Sequence, residues 1–126
     1  YLFDSSIVIN GVKFYGSPWQ PWFYGWAFNL ERGHELAEKW KLIDKNTDVL
    51  ITHTPPYGVG DRIKTGENVG CEELIKFVEV IRPRIHVFGH IHDGYGTSSN
   101  EYTTFINAST FDGDFVPINE PILVDL

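Results

Sequence analysis

Three histidines stand where chemistry is most easily built. His53 closes the apolar run Val49-Leu50-Ile51-Thr52, and His90-Ile91-His92 closes a second run, Ile85-His86-Val87-Phe88. Neutral imidazole is a common ligand of zinc, manganese and iron. An H-x-H pair in extended backbone turns both rings to one side, with Ile91 pointing back to the core. Gly89 before the pair lets the backbone turn sharply or a ligand approach. If the two runs are neighbouring strands, all three imidazoles converge on one sheet edge, and metal ligation is the chemistry that follows. Ligands of open α/β sheets collect just beyond the carboxyl ends of strands.

The elements that would carry these rings can be read from hydrophobic pattern. Ile7-Val8-Ile9 and Val12-Lys13-Phe14-Tyr15 flank Asn10-Gly11, the strongest short hairpin signal. "GSPWQPWFYGWAFNL" is broken by prolines and glycines and reads as an aromatic loop packed onto the core. A substrate-facing wall or an oligomer contact are its alternatives. Apolar spacing predicts a helix from about Leu30 to Ile43 and another from Cys71 to Arg82, stopped by Pro83. Val49–Thr52 and Ile85–Phe88 read as strands buried on both faces. Tyr102–Asn107 and Ile122–Val124 complete the strand set. The fold class is therefore α/β, a mixed sheet with helices on one face.

Bulk properties narrow the function. The 126 residues suffice for one domain, with 42% apolar and 21% charged residues and a net charge of −7. That charge argues against binding a nucleic-acid backbone, which needs clustered Lys and Arg. No apolar run approaches the roughly 20 residues of a membrane span. One cysteine, Cys71, excludes an internal disulfide and points to a reducing, cytoplasmic compartment. The chain contains no methionine, so it is expected to be a processed product or a piece of a longer protein.

"THTPP" after one strand and "GHIH" after another resemble the calcineurin-like metallophosphoesterases. With "GSPWQPWFYGWAFNL", "RIHVFGHIHDGYG" and "INAST", the likeness extends over nearly the whole chain to the metallophosphoesterase-domain-containing family. The resemblance implies a four-layer α/β/β/α sandwich with two divalent ions, Mn, Fe or Zn, between its sheets. It implies hydrolysis of a phosphodiester P–O bond, with a cyclic nucleotide as one candidate substrate. His53 and His90 would bind one ion and His92 the other, while Tyr95, Asn107 and Ser109 would lie at the site edge. Arg62, in the loop after "THTPP", joins them as a candidate phosphate contact, with a solvated loop charge as its alternative, as for Lys64.

The family's Asp-x-His, Gly-Asp-x-x-Asp and Gly-Asn-His motifs do not occur here. Residues 1–126 are accordingly expected to be the C-terminal portion of the domain. The general acid and bridging aspartate would lie upstream, supplied by an N-terminal half or a second chain, and residues 1–126 alone would be inactive. The alternative is a non-catalytic truncated module for binding or dimerisation. Asp93 is read as a turn residue, His86 as a core residue, His34 as solvated and Cys71 as structural.

Overall fold

The computed structural model describes residues 1–126. A six-stranded sheet holds β1 (Ser5–Ile9), β2 (Val12–Ser17), β5 (Val49–Thr52), β6 (Ile85–Phe88), β7 (Gly96–Ser99) and β8 (Thr104–Asn107) in the order β1-β2-β5-β6-β8-β7. The four inner strands are parallel and the two edge strands antiparallel to their neighbours. The two-residue strands β3 (Gln20–Pro21) and β4 (Asn29–Leu30) pair with each other inside the aromatic segment. The helices are α1 (His34–Trp40) and α2 (Glu72–Ile81).

Asn10 and Gly11 take φ of 51° and 84°, the torsions a tight hairpin turn requires. α1 is shorter than its apolar spacing predicts. Gly33, at φ 86°, sets its start, and Leu30 belongs to β4. α2 starts at Cys71, whose sulfur accepts the Leu74 amide at 3.4 Å, and ends on Arg82 in a left-handed cap. Leu36 and Trp40 of α1 and Leu74 and Val78 of α2 pack onto one sheet face, against Tyr15, Leu50, Phe88 and Phe105.

The opposite face carries Val12, Phe14, Val49, Ile85, Val87 and Ile106, with Ile122 packed against it. Ile122–Val124, expected as a strand, is not one. Ile122 packs against the sheet face without pairing with any strand, and Leu123 is 95% exposed. Besides the short β3–β4 pair in the segment read as a loop, the unanticipated strand is β7, whose Gly-Thr-Ser-Ser sequence is mostly exposed. Its pairing with β8 defines it, and it buries no apolar stripe that a sequence pattern would register.

Candidate metal centre

β5 and β6 are parallel neighbours, with Val49 opposite Ile85 and Ile51 opposite Val87. The loops leaving them therefore begin side by side, and the Gly89 amide donates to the His53 carbonyl at 3.1 Å. The imidazoles of His53 and His90 face each other with centroids 4.6 Å apart. Hydrogen bonds within the chain occupy the rings of His86 and His92, leaving those of His53 and His90 for other partners. Burial lowers the His53 pKa. Burial first, then the nearby rings of His53 and His92, hold His90 at about 4. Both are therefore neutral at physiological pH, the state in which imidazole ligates metals.

The H-x-H segment is not extended, and the two rings share a side for another reason. His90 is left-handed at φ 67°, the Ile91 amide closes onto the Gly89 carbonyl at 2.7 Å, and His92–Gly94 form a 3-10 turn. Ile91 is half-buried and lines the cleft, contrary to the alternation expected of a strand. A left-handed torsion on a non-glycine residue costs on the order of 1 kcal/mol and marks a place where function can tolerate strain. The His92 ring stacks near Phe111 and meets Phe115 edge-on, and its Nδ1 lies 3.0 Å from the Asp112 carbonyl. A carbonyl can only accept, so this contact places a proton on Nδ1, an arrangement common among metal-bound histidines.

No three His, Cys, Asp or Glu side chains of this chain gather as a set able to hold a metal ion among themselves. The donors fit a share of a metal site: an open ring pair and a third ring whose Nδ1 is held by a backbone carbonyl.

Above His90 and His92 opens a cleft of about 380 Å³. Trp22, Phe23, Trp26 and Phe115 line it, and Phe23 and Trp26 stand edge-on to the His90 ring at 6.1 and 5.9 Å. The aromatic segment thus divides its labour. Trp19 packs on Phe3, Phe28 and the core, as the sequence reading expects, whereas Trp22 (59% exposed) and Trp26 (52%) face the cleft. Gln20 and Asn29 hold this presentation. Gln20 Nε2 donates to the Ala27 carbonyl at 2.9 Å, and Asn29 Nδ2 to the Tyr24 carbonyl at 2.8 Å.

The pocket candidates divide similarly. Arg62 is exposed, bonds the Gly66 carbonyl at 3.0 Å and does not line the cleft. The cationic residue that does is Arg32, whose guanidinium holds the Val69 and Gly70 carbonyls and pairs with Glu72. Nothing in its helix-flanking sequence distinguished it. Tyr95 donates to the Glu120 carbonyl at 2.6 Å and lines a smaller neighbouring pocket. Asn107 (1% exposed) and Ser109 (7%) are buried behind the turn, where they bond each other. Asp93 lines the cleft and accepts the Lys64 amide at 3.2 Å, as a turn residue would.

A solved crystal structure shares the fold, with a TM-score of 0.65 over 86% of this chain and 45% of its own, at 19% identity. No protein-family model matches the chain. Sequence relatives place it among metal-dependent phosphoesterase domains, a class of hydrolases that uses divalent cations. Within that class the chain belongs to the metallophosphoesterase-domain-containing proteins. It is 52% identical over 128 residues to metallophosphoesterase domain-containing protein 1 of Homo sapiens, and 48% identical over 127 residues to UPF0046 protein T07D4.2 of Caenorhabditis elegans. Each alignment covers 100% of this chain but only 39% and 32% of the relative.

Proposed function

We propose that the polypeptide carrying this chain is a metal-dependent phosphodiesterase. His53, His90 and His92 are three of its metal ligands. The observation that carries this reading is the open pair of neutral imidazoles, 4.6 Å apart at the ends of two adjacent parallel strands. Divalent cations held by these residues would supply positive charge for the phosphoryl group and lower the pKa of a water. The chain's own residues do the rest. His53 and His90 present unprotonated nitrogens, the Asp112 carbonyl fixes the His92 tautomer, and the aromatic wall excludes water from one side of the cleft. That wall suits a phosphodiester small molecule with a flat apolar substituent, a description a cyclic nucleotide meets. Arg32, already held by two carbonyls and a carboxylate, adds no free charge for a polyphosphate.

The remaining ligands, bridging aspartate and general acid come from sequence outside residues 1–126, and that sequence packs on the sheet face opposite the helices. Ile7, Ile9 and Ile51 stand 49, 50 and 39% exposed there. A second reading, in which this face joins two copies of a non-catalytic module, draws on the same exposure.

The test uses the natural-length polypeptide with Mn²⁺ and bis(p-nitrophenyl) phosphate. His90→Ala is expected to lower kcat/KM by about 100-fold or more, beyond the roughly 10- to 100-fold typical of losing only an outer partner of a ligand. Turnover that survives both chelation and His90→Ala refutes the reading. Turnover, or stoichiometric two-metal occupancy, by residues 1–126 alone refutes the division of the site. A catalytically silent dimer in sedimentation favours the second reading.

A further inference from the structure

We propose that Asn107 is the positioning residue of the His90–His92 turn, a buried side chain of β8 that ties the two histidine-bearing loops together. Asn107 ends β8, opposite Phe88 of β6, and is 1% exposed. Its Nδ2 donates twice. One bond, of 2.7 Å, goes to the Ile91 carbonyl, between His90 and His92; the other, of 2.9 Å, goes to the Gly60 carbonyl in the loop that follows His53. Its Oδ1 accepts twice, from the Ser109 amide at 3.1 Å and the Ser109 hydroxyl at 2.8 Å. The amide group is thereby used to its full capacity inside the chain, with nothing left for a ligand.

The backbone around it leaves no slack. A Cβ on Gly94 would lie 2.0 Å from the Gly60 oxygen and 2.9 Å from Asn107 Nδ2. A Cβ on Gly60 would meet Phe88 at 3.1 Å. The two loops therefore touch backbone to backbone at glycines, and Asn107 closes the junction from below. His90 holds a left-handed torsion in the residue before Ile91, and such torsions persist where the surroundings over-determine them. The anchored Ile91 carbonyl is that surrounding constraint. Only an amide serves here, because a carboxylate of the same shape keeps both bonds to Ser109 but puts a lone-pair oxygen, in place of the donating Nδ2, against two carbonyls.

The test compares the natural-length polypeptide with Asn107→Asp and with Thr103→Val. Thr103, 2% exposed, donates to the Pro83 carbonyl at 2.7 Å just before the far end of the same strand. Losing that bond reproduces a buried hydrogen-bond loss beside β8 without touching the turn. In the metal-free, histidine-labelled protein, the NOE between the His53 and His90 rings is expected to persist in Thr103→Val and to vanish in Asn107→Asp. Titration with Co²⁺ alone, read by its ligand-field absorption, rests on the proposed metal site. There Asn107→Asp is expected to weaken binding about 10- to 100-fold, as loss of an outer partner does, with Thr103→Val within about threefold of wild type. Intact NOE and Co²⁺ affinity in Asn107→Asp, or equal losses in Thr103→Val, overturn the proposal. If wild type itself fails to bind Co²⁺, the metal reading falls while the NOE still decides Asn107. If Asn107→Asp does not fold, Asn107→Ser, which leaves room for water beside the two carbonyls, is judged by the same criteria.

Discussion

Acid is expected to unfold this chain through His86, a ring two strands away from solvent and unconnected with ligand binding. His86 is fully buried in the middle of β6. The Thr52 hydroxyl donates to the Thr54 carbonyl at 2.7 Å, so at 2.9 Å from His86 Nε2 it accepts, and the proton of the neutral ring sits on Nε2. Nδ1 has no partner and lies among Phe88 and Phe105. Protonation would place an N–H and a charge there with nothing to receive them, and burial accordingly holds the pKa at about 3 against an ordinary 6.5. Between those values the unfolded state binds the extra proton, so stability falls as pH falls through that window. At about 1.4 kcal/mol per unit, the two units from 6.5 to pH 4.5 remove about 3 kcal/mol, a large share of a domain's margin. Urea unfolding followed by tryptophan fluorescence at pH 7.5 and 4.5 measures this in wild type and in His86→Leu. Leucine is close in volume and forfeits one hydrogen bond worth about 1 kcal/mol. The difference between the two proteins isolates His86, since every other group titrates in both. His86→Leu is expected to gain about 3 kcal/mol relative to wild type on acidification. Parallel pH profiles would refute the buried neutral ring.

Asp61, 1% exposed, accepts the Gly58 and Gly70 amides at 2.9 and 2.8 Å and closes the loop after His53. Asp61→Asn is expected to cost about 1–3 kcal/mol, and an unchanged urea midpoint would contradict that role. Trp26→Ala is expected to raise KM for bis(p-nitrophenyl) phosphate about five- to tenfold with kcat nearly constant, the mark of lost uniform binding of roughly 1 kcal/mol; an unchanged KM would show that the wall does not receive the ester's organic group. The Cys71 thiol is fully buried, and that burial pushes its pKa up. It is expected to react with Ellman's reagent only as fast as the chain opens, and rapid labelling of the native state would contradict the packing.

What was legible in the sequence is what burial writes there. Val49–Thr52 and Ile85–Phe88 stand out because both their faces are apolar, although the face opposite the helices is only partly covered and leaves Ile51 39% exposed; α2 stands out because one stripe is buried, and the first hairpin because Asn10-Gly11 suits only a few torsions. β7 was invisible because a Gly-Thr-Ser-Ser edge strand buries nothing, and Ile122–Val124 misled because apolar residues packed against a sheet face look like residues in its ladder. The histidines were legible as types and positions, and the neighbouring strands do bring His53 and His90 together. Their geometry was not legible. The period-two rule that put His90 and His92 on one side assumes extended backbone, and the turn is left-handed at His90. The Ile91 carbonyl beside that torsion is held not only by the Gly94 amide of the turn but from outside the motif, by an amide 16 residues further along. Arg32 escaped notice for the same reason: the loop at Val69 and Gly70 that seats it lies 37 and 38 residues away. A motif therefore names the atoms of a site, while the torsions that aim them belong to residues that no local pattern selects.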